Sequence, residues 1–236
     1  MEGEGITRYA DGGTYEGGWK DSKRDGKGKM TFQGGKRSYE GDWKDNKKEG
    51  KGTMQYKTGN IYEGEWRNNM RDVKGKFIQS DGVIYEGDWK ENRREGFGKV
   101  IYSRGGIYEG NFENNMMNGK GKMIYEDGII YEGDWKDNKK EGKGRMVKGG
   151  FGIYEGEWRD SQIEGKGKMM FEDGSIYEGE FKGNVIEGEG KMIFKGGSIY
   201  EGDWTDNSMD GKGKMVYSNG EVYEGEWNDG VPEDQD

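Results

Sequence analysis

The chain has no cysteine and no histidine, and only one proline in 236 residues. Without thiols there is no disulfide, no thiolate metal site and no cysteine nucleophile. Without imidazole no Ser-His-Asp arrangement can be assembled. Long apolar runs are missing as well, since nothing approaches the roughly 18 residues of a membrane-spanning helix. The amino-terminal stretch MEGEGITRYADGG carries no apolar signal core. These absences predict a soluble, intracellular, cytoplasmic protein. Apolar residues are scarce too: 29% of the chain is hydrophobic, 36% is charged and mean hydropathy is −1.25. Such values are shared with chains too polar to bury a core.

What is present argues for order. The segment IYEGDWKDNKKEGKGRMV at 130–147 nearly copies SYEGDWKDNKKEGKGTMQ at 38–55. The triplet Tyr-Glu-Gly starts at Tyr15, Tyr39, Tyr62, Tyr85, Tyr108, Tyr131, Tyr154, Tyr177, Tyr200 and Tyr223. The first spacing is 24 residues and the rest are 23. A fixed period of this size marks stacked supersecondary units. The 8 Trp, 15 Tyr and 48 Gly fall almost entirely at fixed places in that period, which a flexible Gly-rich linker would not require.

Within a unit, Ile-Tyr-Glu-Gly-Glu/Asp-Trp (Ile61 to Trp66) is followed by about six polar residues, then by Gly-Lys-Gly-Lys-Met-Ile-Tyr (Gly119 to Tyr125) and a short link such as Glu126-Asp127-Gly128. Strict alternation bounded by Gly, Asn and Asp predicts two strands per period, a β-hairpin. No stretch has a sustained helical period. Alternation puts Tyr131, Gly133 and Trp135 on one face with Gly142, Gly144 and Met146, and Glu132 and Asp134 on the other with Lys143 and Arg145. The two glycines leave a floor against which aromatic rings can lie, and the opposite charges pair across strands. The polar stretches are expected as hairpin loops. Those at Lys20–Arg24, Lys44–Lys48, Lys90–Arg94 and Lys136–Lys140 are basic. Met116, Met117, Ile163, Val185, Ile186 and Met209 would then sit on exposed loop tips and suggest a contact edge.

The phrase YEGEW…GKGKM.Y.DG.IYEG resembles the MORN repeat (membrane occupation and recognition nexus), and the resemblance runs from Gly3 to about Gly230. It implies an all-β fold: an elongated, twisted single antiparallel sheet of tandem 23-residue hairpins with a groove of aromatic side chains. The expected organisation is one array over 1–230, with nine full units between Tyr15 and the 222–223 boundary, a partial unit at each end, and an acidic, frayed tail at 231–236. Short all-MORN proteins occur in cilia, flagella, protist cytoskeletons and membrane-associated complexes, often bridging partners or forming dimers.

Several stretches imitate ligand sites. DSKRDG at 21–26 and DNKKEG at 45–50 begin like calcium loops, but they carry Lys at the third position and Phe32 or Tyr56 at the twelfth, where oxygen ligands are needed. Gly-Lys-Gly-Lys-Met has no Walker pattern and no following helix. Acidic pairs two residues apart recur in most repeats opposite Lys, which makes them structural rather than a glycosidase pair. No catalytic residue, cofactor or metal is expected. Departures from the repeat are Val73 for Gly, Phe112 and Phe181 for Trp, Gln79 and Lys148 for the second-strand aromatic, and an extra residue near Lys36 and Arg37.

The chain is therefore expected to be a non-catalytic scaffold for other proteins, in a cytoskeletal, ciliary or axonemal assembly on the family resemblance. An extended or helical partner segment would lie on the aromatic groove. Its candidate residues are Tyr62, Trp66, Tyr85, Trp89, Tyr131, Trp135, Tyr154, Trp158, Tyr200 and Trp204. Tyr223 and Trp227 mark a carboxyl-terminal edge strand without a hairpin partner, suited to a homodimer or to strand addition. The alternative is a phosphoinositide or membrane-surface module, with Lys23, Arg24, Lys47 and Lys48 as candidates. Charge disfavours it. Residues 1–118 hold 22 basic and 20 acidic side chains, residues 119–236 hold 16 and 27, and lipid or nucleic-acid binding needs clustered, uncompensated positive charge.

Overall fold

A computed structural model of the protein describes residues 2–233. Among them it contains 21 strands and no helix. The chain forms two compact units, Met1–Met117 and Asn118–Asp236, and the division falls inside the strand Met116–Ile124. In the first unit, ten strands from Gly3–Arg8 to Ile107–Glu113 pair antiparallel in sequence order. In the second, the strands from Met116–Ile124 to Val231–Pro232 do the same.

One hairpin shows how the repeat specifies this. Ile61–Arg67 and Met70–Ile78 pair Tyr62 with Phe77, Glu63 with Lys76 and Gly64 with Gly75. After a bulge, Trp66 faces Arg71. On its other side the first strand sets Tyr62 against Met54, Gly64 against Gly52 and Trp66 against Gly50. The bulge needs a left-handed residue in its second strand, and Gly50 supplies it with φ 60°. In the hairpin of Tyr62 that place holds Val73, also at φ 60°, which is strained for a β-branched side chain.

The expected six-residue loops are not there. Each basic stretch closes through a two-residue turn, as at Asp45 (φ 46°) and Asn46 (φ 68°), and so does the stretch at Asn68 (φ 48°) and Asn69 (φ 69°). Two consecutive positive φ values match the right-handed strand twist and favour Asn and Asp. The flanking residues, Lys20, Lys23 and Arg24 among them, extend the strands instead. The turn asparagine also ties its hairpin to the preceding one. Asn69 N donates to the Lys48 carbonyl at 3.0 Å, and Asn69 Oδ1 accepts from Lys48 N at 2.9 Å.

The core is a single layer of side chains on one face. Tyr15, Tyr39, Tyr62, Tyr131 and Tyr154 have 0% exposure. Each ring lies on the glycine floor: a Cβ on Gly75 would meet Tyr62 Cζ and Cε2 at 2.5 Å. Tyr62 Oη donates to the Glu65 carbonyl at 3.0 Å, and Trp66 Nε1 donates to the Gly52 carbonyl at 3.1 Å. Within each unit, most of the buried tyrosines stand edge-on to two Trp or Phe rings, their own and that of the following hairpin. Tyr62, for instance, is 5.1 Å from Trp66 and 5.4 Å from Trp89, a favoured aromatic geometry. The opposite face carries the expected charge ladder, including Lys29–Glu40 at 3.0 Å, Lys191–Glu201 at 3.4 Å and Lys214–Glu224 at 3.2 Å. All are well exposed, so each contributes at most about 1 kcal/mol.

The carboxyl end differs from the expected frayed tail. Asp229 and Gly230 make the same kind of turn as every other hairpin (φ 46° and 82°). Val231–Pro232 then pairs back onto Asn228 and Trp227. Glu233 N donates to the Glu226 carbonyl at 2.9 Å. The remainder of the tail, 234–236, lies outside the described residues.

Candidate functional site

The ten groove candidates are all placed on the core face, and they are sealed within it. Tyr62, Tyr85, Tyr131, Tyr154 and Tyr200 are at most 2% exposed, and Trp66, Trp89, Trp135, Trp158 and Trp204 no more than 5%. Burial raises the tyrosine hydroxyls, Tyr200 to about 12, so they remain hydrogen-bond donors. A further layer of side chains covers these rings. It has two components, and periodicity held the signal for both.

The first is the residue nine places after each tyrosine, which lies across its hairpin from the tryptophan. Arg24 pairs with Trp19, Lys48 with Trp43, Arg71 with Trp66 and Arg94 with Trp89. Each cation also covers an aromatic ring of the next hairpin. Arg24 Cζ is 4.3 Å from the Trp43 centroid, Lys48 Nζ is 3.7 Å from Trp66, Arg71 Cζ is 4.2 Å from Trp89, and Arg94 Cζ is 5.3 Å from Phe112. In the second unit Lys140 stands 4.7 Å from Trp158. Ile163, Ile186 and Met209 take the same place opposite Trp158, Phe181 and Trp204. Ile163 and Ile186 are buried, as is Met117. The loop-tip edge expected for these apolar residues therefore does not exist. A two-residue turn draws Met117, Ile163, Ile186 and Met209 into strands on the core face, while Met116 and Val185, next to their turns, alternate to the opposite face and are half-buried.

The second component is the residue two places after the strand methionine, or after Phe77 and Val100, which take its place in two hairpins. Phe32, Tyr56, Phe171, Phe194 and Tyr217 are half-buried, and Tyr102 is exposed. Tyr56 meets Phe77 edge-on at 6.1 Å, and Arg37 stacks 4.1 Å from Phe32. These rings rim the covered core, one per hairpin, except where Gln79 and Lys148 stand.

Electrostatics separates the two faces. Burial pulls Lys48 down to about 8, with Arg37 and Arg71 adding repulsion, while the Trp66 face favours the cation. Arg71 and Arg94 are also lowered, chiefly by burial. On the other face, a groove of about 790 Å³ in the first unit runs over the backs of Gly52, Gly64, Gly75 and Gly87. Lys51, Lys74, Lys76 and Lys99 line it together with Glu63, Glu65 and Glu86, so its charges are mixed, with one lysine in excess.

The four lipid candidates do not form one patch. Successive strand residues point to opposite faces: Arg24 and Lys48 lie on the aromatic layer, whereas Lys23 Nζ pairs with Asp45 at 2.8 Å and Lys47 Nζ with Asn68 Oδ1 at 2.9 Å. At the carboxyl-terminal edge, Trp227 is buried at 4% and lies across from Pro232 in a short hairpin, which corrects the expectation of a strand without a hairpin partner. Tyr223 is half-buried and its hydroxyl donates to the carbonyls of Glu226 and Glu233, both at 2.9 Å. Among the described residues no cluster of three or more His, Cys, Asp or Glu is placed to hold a metal, and no helix is long and apolar enough to cross a membrane.

The MORN repeat family model matches residues 1–14, 15–37, 39–61, 62–84, 85–107, 108–130, 131–150, 154–176, 177–199, 200–222 and 223–233. Among curated proteins none matches the chain. Among solved structures, similarity extends to the TCP10 domain of Danio rerio CPAP in complex with a peptide of Danio rerio STIL. That match has 10% identity and a TM-score of 0.47, over 98% of this chain and 96% of that one. The TCP domain of Drosophila melanogaster SAS-4 (dCPAP), in complex with a proline-rich motif of Ana2 (dSTIL), is similar at 12% identity and a TM-score of 0.32, over 85% and 90%. Likeness at these scores says nothing about function.

Proposed function

The chain belongs to the MORN-repeat family, and we propose that it is a non-catalytic scaffold whose core face binds segments of other proteins. The observation that carries this is the half-buried ring in most hairpins, exemplified by Phe32, Tyr56, Phe171 and Phe194. These rings lie outside the sealed Tyr–Trp stack, so their apolar area is only partly used in folding. Repeated at a fixed interval on paired strands, they offer a partner segment regularly spaced contacts without ordering a loop. The Tyr and Trp candidates support that surface from beneath.

A photo-crosslinking amino acid placed singly at positions 56, 102 and 171 should capture protein in cells, and one at position 76 on the charged face should not. Capture from position 76 alone would overturn the assignment of the binding face. A cytoskeletal or ciliary setting rests on the family resemblance, and a fluorescently tagged chain spread evenly through ciliated cells would count against it. The carboxyl-terminal strand also supports strand addition or a homodimer, because among the described residues Val231–Pro232 and Glu233 pair with Asn228, Trp227 and Glu226 and no strand pairs with Val222–Gly225 on that side. Light scattering showing a monomer at micromolar concentration would remove the dimer.

A further inference from the structure

We propose that the core face of the first unit takes an acidic protein segment laid along the row Arg24, Lys48, Arg71 and Arg94. The inference deepens the protein-binding reading above and rests on it. The four cations occupy one place in four successive hairpins, each covering a ring of the next hairpin. Among the described residues none of them makes an ion pair. The lysines of the charged face, by contrast, meet carboxylates, as Lys74 meets Asp88 at 2.7 Å and Lys29 meets Glu40 at 3.0 Å. Four acidic side chains of these hairpins are directed elsewhere. Glu63 and Glu86 line the groove of the opposite face, and Glu49 and Glu95 accept from the turn amides of Asn68 and Asn114.

The donors of the row are incompletely used. Arg24, Arg71 and Arg94 each give one terminal nitrogen to the carbonyl of a turn asparagine, at 3.0, 2.9 and 2.7 Å. Arg71 Nε is buried without an acceptor. Lys48 Nζ has the Trp66 face beneath it and no acceptor among the described residues. Burial disfavours the charge of Lys48, Arg71 and Arg94, and the fold does not need it. In the second unit Ile163 and Ile186 fill the same place with 3% and 6% exposure. Four cations kept where isoleucine suffices point to a ligand that neutralises them.

Spacing describes that ligand. Adjacent strands are about 4.8 Å apart, so one repeat advances the row by about 10 Å, close to one turn of a polyproline II segment, three residues at about 3.1 Å each, in which every third side chain faces the same way. A segment with a carboxylate at every third residue would meet each cation in turn, with its intervening apolar side chains against Phe32, Tyr56 and Tyr102.

The test uses the whole chain and a fluorescein-labelled twelve-residue peptide, Glu-Leu-Ser repeated four times. Anisotropy at low salt should give a dissociation constant on the order of 10 μM, weakening steeply as salt rises. Lys48→Met combined with Arg71→Met should weaken it about tenfold or more, with an unchanged far-ultraviolet spectrum, and Lys76→Met on the opposite face should leave it unaltered. Equal binding of the peptide with Lys in place of Glu, or indifference to the double substitution, would overturn the proposal. So would phosphatidylcholine vesicles with 5% phosphatidylinositol bisphosphate that hold the chain through Lys48 and Arg71 while the peptide does not bind, since the occupant would then be a lipid surface. If crosslinks from position 102 persist when the acidic peptide fails, the scaffold stands and only the acidic partner falls.

Discussion

Adding one methyl group to the glycine floor should break a hairpin. Gly52 is the clearest site, because its φ is ordinary and only space is at issue. A Cβ there would lie 2.5 Å from Tyr39 Cζ and 2.6 Å from Cε2, with Oη closer still. The ring has nowhere to retreat, being 0% exposed and held edge-on by Trp43 at 5.1 Å and Trp66 at 5.4 Å. Overpacking of this kind costs about 1–3 kcal/mol. Lifting the ring also breaks the bond from Tyr39 Oη to the Asp42 carbonyl (3.0 Å), about 1 kcal/mol, and disturbs two aromatic contacts of about 0.5 kcal/mol or more each. Gly52→Ala should therefore destabilise by about 3 kcal/mol or more in urea unfolding followed by tryptophan fluorescence. Gly149→Ala, where nothing lies within 4 Å, should change stability by less than about 0.5 kcal/mol. In a Tyr39→Ala background the Gly52→Ala penalty should vanish. A cost below about 1 kcal/mol, or the same cost with and without the Tyr39 ring, would show that the floor does not bear the ring.

Three further outcomes are expected. Val73→Gly should stabilise by about 1 kcal/mol, because it removes a β-branched side chain from φ 60° at the expense of some unfolded-state entropy; a loss of stability would show that the valine is accommodated without strain. Tyr62→Phe should cost about 1 kcal/mol by leaving the Glu65 carbonyl without its donor, and an unchanged melting temperature would assign that carbonyl another partner. Lys48→Met should stabilise by about 1–3 kcal/mol at pH 7. Lys48 falls from 10.5 in the unfolded chain to about 8 when folded, so wild-type stability declines as pH drops from 10.5 to 8 and is flat below. The advantage of the variant should be present at pH 7 and disappear above about pH 10.5; an advantage independent of pH would refute the charge as its cause.

The repeat made the face assignment legible. Tyr131, Gly133 and Trp135 alternate with Glu132 and Asp134, and the observed register keeps that order, setting Tyr131 against Met146 and Glu132 against Arg145. Turn length was misjudged because polarity was equated with loop. KDNKKE is polar throughout, but only Asp137 and Asn138 have positive φ, and the lysines beside them belong to strands. The telling signal was the pair of Asn or Asp residues, the side chains that accept left-handed φ most readily. The same misjudgement hid the covering layer. Lys48 and Ile163 differ in every property that composition measures, yet they share one register position opposite a tryptophan. Burial of the Tyr and Trp rings was also beyond alternation alone, because it depends on cover supplied by neighbouring hairpins.

That shared position shows how a uniform array acquires an address. The Tyr, Trp and Gly of each hairpin are fixed by mutual contact: the ring needs the glycine floor, and the indole needs the carbonyl of the previous hairpin, as Trp66 needs that of Gly52. Substitution there disturbs two hairpins at once, which leaves little freedom to encode a partner. The place across from the tryptophan has only to cover a ring. Arginine, lysine, isoleucine and methionine all do so, with their apolar stems or their charged heads over the π face. The place therefore accepts both charged and apolar side chains in this chain. A sequence of such choices along successive hairpins can be changed one at a time, each altering what a bound segment meets while leaving the register intact. In the first unit the choices run Arg24, Lys48, Arg71, Arg94 and Met117; in the second they run Lys140, Ile163, Ile186 and Met209. On the proposed reading, partner specificity would be written in this column together with the rim position held by Phe32, Tyr56 and Tyr102.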